Sequence, residues 1–486
     1  MSHSIIPSVQ YCKSITGRRS PEDLKAIAHV KRFLELLTGD SKFRLEAKSN
    51  PAGVEKLARG KGVNIDVGKF SPKFLADVKN KETTGYALEF PLAVLWREWI
   101  EDWLTFVRMF REDGYSDKAD PRFNAWRKRQ VERVRIEFGT QRANFITHPI
   151  FSFELSKGCS VGCWFCAFGA ESFKGHYHRT PENVQLWRNV LGTAVDMFGS
   201  AVQTAACYWA TEPFDNPNYV DFIQDYYDIA GIVPQTTTAA PARDLVWTRR
   251  LMAMHGKYLS VPSRFSIVNS SVLKVMHSTF QPEELLGYEL IMQLRGASYG
   301  KARSGKTLKK LNSANPSDNG SRIEKAPSSI ACVSGYLINM VDRSIKLVSP
   351  CLADEEWPLG YRVHGSGTFD TAQDFGDFIE TSMTEYMPMD LPADRPVSFR
   401  EPLHYETRED GFDLLSASSS HSFTGSGHVR SLGDMIAEGR HRPEAILGSL
   451  VEAGADVFGI LGTLRDLYSS GFLEDMPRAK DLKKAI

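Results

Sequence analysis

Apolar positions recur at helical spacing between residues 21 and 66, where Phe33, Leu34, Leu36 and Leu37 share a stripe. The pattern predicts short helices, and "TGDSKFRLEA" supplies a break and a fresh start. From Trp96 to Arg142 the chain turns aromatic and then basic ("WREWIEDWLTFVRMF", "WRKRQVERVR"). That reads as helix, with the basic run as a solvated face. After residue 146 the period shortens. "IFSFELS", "AVQTAACYWA", "GIVPQTTTAA" and "RFSIVNSS" read as buried strands, and "PENVQLWRNVLGTAVDMF" and "YVDFIQDYYDIA" as the helices between the first three. Strands alternating with helices imply βαβ units, hence an α/β fold with a parallel sheet or barrel.

The segment from Lys301 to Ser328 is rich in Ser, Asn, Gly and Lys with little to bury, and is expected as a mobile loop. A hairpin pattern follows in "IACVSGYLINMVDRSIKLVSPC", turning near Asp342. From about Pro396, strand-like pieces reaching Phe423 lead into amphipathic helices carrying Ile446, Leu447, Leu450 and Val451, then Ile460, Leu461, Leu464, Leu467 and Tyr468. The organisation expected is a helical domain over 1–95, a helical linker over 96–145, an α/β domain over 146–300, a loop over 301–328, an extension over 329–392 and a last domain over 393–486.

Composition narrows the classes. The chain has 486 residues, 42% of them apolar, with 59 Lys plus Arg against 59 Asp plus Glu. Balanced charge gives no reason to expect a nucleic-acid or anionic-membrane partner. No run of about 18 apolar residues exists to span a bilayer, and the N-terminus lacks the apolar core of a secretion signal. The seven cysteines are odd in number, which suits a reducing cytoplasm with metal-binding or reactive thiols better than a disulfide scaffold.

Three of those cysteines fall in "SKGCSVGCWFC", spaced Cys159-x3-Cys163-x2-Cys166. Three thiols after a strand can surround one metal centre. Zinc would need a fourth ligand, for which His176 and His178 in "GHYHR" are the candidates within a non-enzymatic, peptide-binding scaffold. A 4Fe–4S cluster on three thiolates leaves one iron open to substrate or cofactor. The motif resembles the CxxxCxxC motif of radical S-adenosylmethionine (SAM) enzymes. That resemblance implies a 4Fe–4S cluster on Cys159, Cys163 and Cys166, SAM on its open iron, an electron donor such as flavodoxin or ferredoxin, and a partial (β/α)6 barrel over about 146–300. It implies SAM contacts from Glu212 and Pro213 in "YWATEP", from Thr236, Thr237 and Thr238 in "PQTTTAA", and from Arg264 in "SRFSIV", for which a structural salt bridge is the alternative. Only the Glu-Pro of the family's GGEP-like motif is present, since Ala210 and Thr211 replace the glycines.

No later cysteine-rich block and no cobalamin-type D-x-H-x-x-G accompany the motif. A reaction that returns a hydrogen atom therefore fits better than crosslinking or backbone excision. "KLVSPCLADEEWPLGYRV" together with the cysteine motif is similar to the proteusin-type radical SAM peptide epimerases, which convert L- to D-residues in ribosomally made peptides. In that family a cysteine outside the cluster donates hydrogen to the Cα radical. Cys351 is the first choice for this role and Cys332 the second, with Cys207 read as core and Cys12 left aside. The C-terminal run "SLGDMIAEGRHRPEAILGSLVEAGADVFGILGTLRDLYSSGFLE" resembles the helices of a winged-helix recognition element, implying a precursor peptide with a leader as partner. "VKRFLELLTGDSKFRLEAKSNPAGVEKLARGKGVNID" looks like a Nif-type leader sequence, with a plain helical accessory domain as the alternative.

Overall fold

The computed structural model describes residues 4–66, 90–298, 300–313, 329–425 and 427–475. Helices start where the sequence provides caps. Ser20 Oγ accepts from the Asp23 N–H ahead of helix Pro21–Gly39, and Asp40 Oδ1 accepts from the N–H groups of Lys42 and Phe43 to open helix Ser41–Ser49. The expected break at "TGDSKF" is that second cap.

The strands are β1 (Phe151–Glu154), β2 (Ser156–Lys157), β3 (Gly175–His176), β4 (Thr237–Thr238), β5 (Arg264–Ile267), β6 (Glu289–Met292), β7 (Gly335–Asn339), β8 (Ser344–Pro350), β9 (Tyr361–Thr368), β10 (His404–Arg408), β11 (Gly411–Leu415) and β12 (Ser420–Thr424). One sheet runs β9-β8-β7-β1. Single parallel bridges, Ser152 to Ala206 and Ala206 to Gln235, carry it on to β4-β5-β6. Every pairing from β7 to β6 is parallel, and the β7–β8–β9 hairpins are antiparallel. Helices Pro181–Phe198 and Tyr219–Ala230, both placed by the sequence pattern, cover one face of this mixed α/β structure.

Of the partial barrel expected over 146–300, the strand pairings show a mixed α/β structure whose sheet continues into the 329–392 extension. The parallel strand β7 comes from the 329–392 extension and lies beside β1, and among the described residues no strand pairing closes the sheet. Two other boundaries move. Helix Pro91–Glu112 runs through the expected junction at 95/96, and helix Gly305–Ser313 occupies part of the expected 301–328 loop, whose residues 314–328 lie outside the described residues. The N-terminal helices dock on the β6 edge: Arg32 donates to the His277 and Phe280 carbonyls, and Lys31 to that of Leu285.

The C-terminal unit is a three-stranded antiparallel sheet, β10-β11-β12, followed by helices Gly427–Glu438, Pro443–Glu452 and Val457–Ser469. Phe412 and Leu414 of the central strand meet Leu432, Ile436, Ile446, Leu450, Leu464 and Leu467. This agrees with the strands-then-helices order expected.

The basic run of helix Pro121–Phe138 is not the solvated face expected. Arg127, Arg129 and Arg133 are 0–3% exposed. Arg133 pairs with Glu474 (2.6 Å) and Asp475 (3.2 Å), Arg129 with Asp475 (3.3 Å), Arg362 of β9 with Glu474 (3.1 Å), and Arg400 with Glu137. The partners lie hundreds of residues away in sequence, so a local charge pattern gives no sign of them. Breaking a buried pair strands a charge, which costs about 3–5 kcal/mol. Arg133→Met is expected to lose that much in urea unfolding, and a variant as stable as the parent would mean the pairs are solvated.

Glu154, at the end of β1, accepts from the Ala210 N–H (2.7 Å) and Asn339 Nδ2 (3.1 Å), yet burial raises its carboxyl to about 7. The folded chain thus holds this proton more tightly than the unfolded one. Its stabilising contribution is complete below the unfolded value of 4.5 and is lost as pH rises through about 7. Glu154→Gln should flatten that part of the pH–stability curve, and an unchanged slope would overturn the assignment.

Candidate functional site

A cavity of about 1040 Å³ opens against the parallel strands. Alternation along β5 builds one wall: Arg264, Ser266 and Val268 face the cavity, while Phe265 and Ile267 pack into the core behind. Tyr208, Trp209, Gln235 and Thr237 add the neighbouring strand ends. Trp96, Trp99 and Trp103 of helix Pro91–Glu112, with Leu34 and Thr38 of helix Pro21–Gly39, form the far side.

Cys159, Cys163 and Cys166, all half-buried, line the same cavity. Their loop leaves β2 at Gly158, where φ is +73° and a Cβ would lie 2.3 Å from the Ser172 carbonyl oxygen. Glycine there lets the loop lie against its return strand, so that the Cys159 N–H donates to the Glu171 carbonyl (2.9 Å). The Ala170 N–H points at Cys166 Sγ (3.4 Å). Burial pushes the Cys163 thiol up to about 12, and the nearness of Cys159 and Cys166 adds to it. Burial also raises Cys159. A Cys163 thiol held protonated by burial and by its two cysteine neighbours belongs to a donor set that a cationic metal centre would relieve. Among the described residues no group of three His, Cys, Asp or Glu side chains is drawn in around a single point as for one ion. His176 and His178 contact each other at a tilt, with ring centroids 4.4 Å apart, and neither lines the cavity.

Glu212 lies on the cavity wall at 2% exposure. Its carboxylate accepts from Thr238 Oγ1, the Ala239 N–H (2.8 Å) and the Phe214 N–H (3.1 Å). Burial nevertheless raises it to about 7. Pro213 is buried and opens the short turn Pro213–Asp215 beneath it. The three threonines part company. Thr237 faces the cavity, Thr236 bonds the Tyr219 hydroxyl in the core (2.8 Å), and Thr238 is engaged with Glu212. Arg264 lies on the wall and pairs with Glu289 of β6 (2.8 Å), its register partner, so the salt-bridge alternative is present at the cavity itself.

The lone cysteines also separate. Cys332 is half-buried on the cavity wall, and burial pushes its thiol up to about 11. Cys351 is 3% exposed, lies off the lining, and has Glu137 and Arg362 as its charged neighbours. Cys207 is core, as expected. The tryptophan stripe is a wall that the site reading did not include. Its signal was legible as Trp96, Trp99 and Trp103 at three- and four-residue spacing, which puts one helix face in aromatic contact.

Residues 397–471 match the family model described as the protein y4wI C-terminal domain. The chain is 37% identical over 467 residues to the uncharacterized protein y4wI of Sinorhizobium fredii (strain NBRC 101917 / NGR234), covering 96% of this chain and 91% of that one. Among solved structures, the crystal structure of BtrN in complex with AdoMet and 2-DOIA aligns with 41% of this chain and 72% of its own, at 12% identity and a TM-score of 0.25, a likeness too slight to carry an argument. No helix of the described residues is long and apolar enough to cross a membrane. On identity sustained along almost its whole length, the chain belongs to the y4wI family.

Proposed function

We propose that this protein is a radical SAM enzyme that epimerises residues of a ribosomally synthesised precursor peptide. One observation carries the reading: the three motif cysteines, Glu212, Thr237 and a separate neutral thiol, Cys332, line one cavity. At about 1040 Å³ the cavity matches or exceeds the upper end of small-molecule sites, about 300–1000 Å³, leaving room for a cofactor and a peptide residue together.

Cys159, Cys163 and Cys166 would hold a 4Fe–4S cluster, which together with SAM supplies a radical able to remove a Cα hydrogen. The remaining work falls to the chain. Glu212 offers a carboxylate to the amino group of SAM, Thr237 offers a hydroxyl, and Arg264 a guanidinium shared with Glu289. Cys332 keeps its proton, because burial disfavours the thiolate. Its S–H bond breaks as a C–H bond forms on the face opposite abstraction, leaving a thiyl radical that one electron from a flavodoxin- or ferredoxin-type donor and one proton from solvent return to the thiol. The donor role is given to Cys332 rather than Cys351 because only Cys332 is on the cavity wall. The antiparallel unit β10–β12 supports a leader-bearing partner: among the described residues its edge strands β10 and β12 each pair with β11 alone, leaving backbone edges of the kind strand addition uses.

Anaerobic reconstitution should give a brown protein that cleaves SAM, and Cys163→Ala should abolish both properties. Colourless protein with one tight zinc would sink the reading. With a precursor peptide encoded beside the gene, epimerisation in heavy water should add one deuterium per inverted residue and leave the mass unchanged in ordinary water. Cys332→Ala should keep SAM cleavage and lose D-residue formation, whereas Cys351→Ala should keep both. The reverse result would return the donor role to Cys351.

A further inference from the structure

Helix Pro91–Glu112 turns an apolar stripe, Trp96, Trp99, Ile100, Trp103, Leu104 and Val107, to the cavity at helical spacing. Packing within the chain explains part of that stripe. Trp99 is buried in a core shared with helix Pro7–Gly17, and Trp103 and Val107 lean on the same core. Ile100 and Leu104 are different, for they join none of the hydrophobic cores of the described residues. Phe145 and Ile330 likewise line the cavity and belong to no core among those residues. Ile100, Phe145 and Ile330 are exposed, so three large apolar side chains meet water on the wall of one cavity. Single apolar residues on a surface need no explanation, but a group of them at a concave site marks a binding surface.

The patch adjoins Cys332. Ile330 precedes that cysteine by two residues, and Phe145 precedes Thr147 by two. The Thr147 side chain in turn hydrogen-bonds that of Cys332. Helix Pro21–Gly39 brings two charges to the cavity, and they cancel: Lys31 pairs with Glu35 at 2.5 Å. A charged ligand group placed here would give up its water without a countercharge from that pair. An apolar group would instead shed water together with the side chains it covers.

We propose that Ile100, Leu104, Phe145 and Ile330 form a subsite that selects a large apolar residue (isoleucine, leucine, valine or phenylalanine) at the position of the peptide presented to Cys332. The inference rests on the reading of the cavity as a peptide-modifying site and names its substrate class, a hydrophobic stretch of chain. A transient occupant fits, because the patch and the cysteine motif share one cavity, and a fixed cover would fill the space a substrate needs. Glycine, asparagine or an acidic residue at that position would leave the patch wet.

The test uses the full reconstituted chain with SAM. The probes are short glycine peptides, capped at both ends, with one central isoleucine, phenylalanine, asparagine or glutamate, titrated by calorimetry. The isoleucine and phenylalanine peptides should bind at least about tenfold more tightly than the other two, from the apolar surface they bury. Raised salt should not weaken them, since no charge pair is involved. Ile100→Glu and Phe145→Asp, both at exposed positions, should each bring that ratio down by about tenfold. Leu45→Glu, at an exposed leucine off the cavity wall, should leave the ratio intact. Equal affinity for all the peptides, binding of none, or a preference that survives both cavity substitutions overturns the subsite. Loss of the preference in Leu45→Glu does so too, because the attraction would then be unspecific. SAM cleavage by the parent with dithionite is followed separately. Cleavage without peptide preference removes the subsite alone, and preference without cleavage removes the radical reaction while the apolar subsite stands.

Discussion

Four arginines and three carboxylates shut away from water join the helix Pro121–Phe138 to β9 and to the C-terminal unit. Charges at such depth are tolerable only in pairs. The pairing therefore constrains where three distant parts of the chain can lie. Arg129 and Arg133 reach Asp475, Arg133 and Arg362 share Glu474, and Glu137 holds Arg400. Arg129 also covers the Tyr468 ring at 4.5 Å, so one side chain both neutralises a carboxylate and packs on the domain's last helix.

That same cluster explains the position of Cys351. The end of β8 runs toward Glu137, whose carboxylate accepts the N–H of Leu352 (3.1 Å). The thiol beside it is enclosed by the ion-pair region instead of the cavity. Cys332, one strand over and at the entry to β7, is turned to the cavity wall. The two cysteines are close in sequence and alike in local pattern, but they belong to opposite environments.

The cavity depends on the sheet being open. With β7 added beside β1 and, among the described residues, no strand closing the far edge, the β6 side is covered by helix Pro21–Gly39, which places Leu34 and Thr38 on the wall. Helix Pro91–Glu112 adds its tryptophans. The N-terminal region is thus part of the cavity's enclosure.

Much of this was legible in the chain itself. Helices 181–198 and 219–230 stand where their apolar period and caps put them, because local spacing and capping are properties of a few neighbouring residues. The loop that carries Cys159, Cys163 and Cys166 into one cavity was likewise announced by the spacing of its cysteines. Tertiary structure decided the rest. It brought Glu474 and Asp475 to the arginine face, moved β7 next to β1, sent Thr236 and Thr238 away from the wall and Thr237 toward it, and separated Cys332 from Cys351. Each of those outcomes depends on partners far away in sequence, and burial, pairing and strand neighbours are properties of the assembled chain that no local window contains.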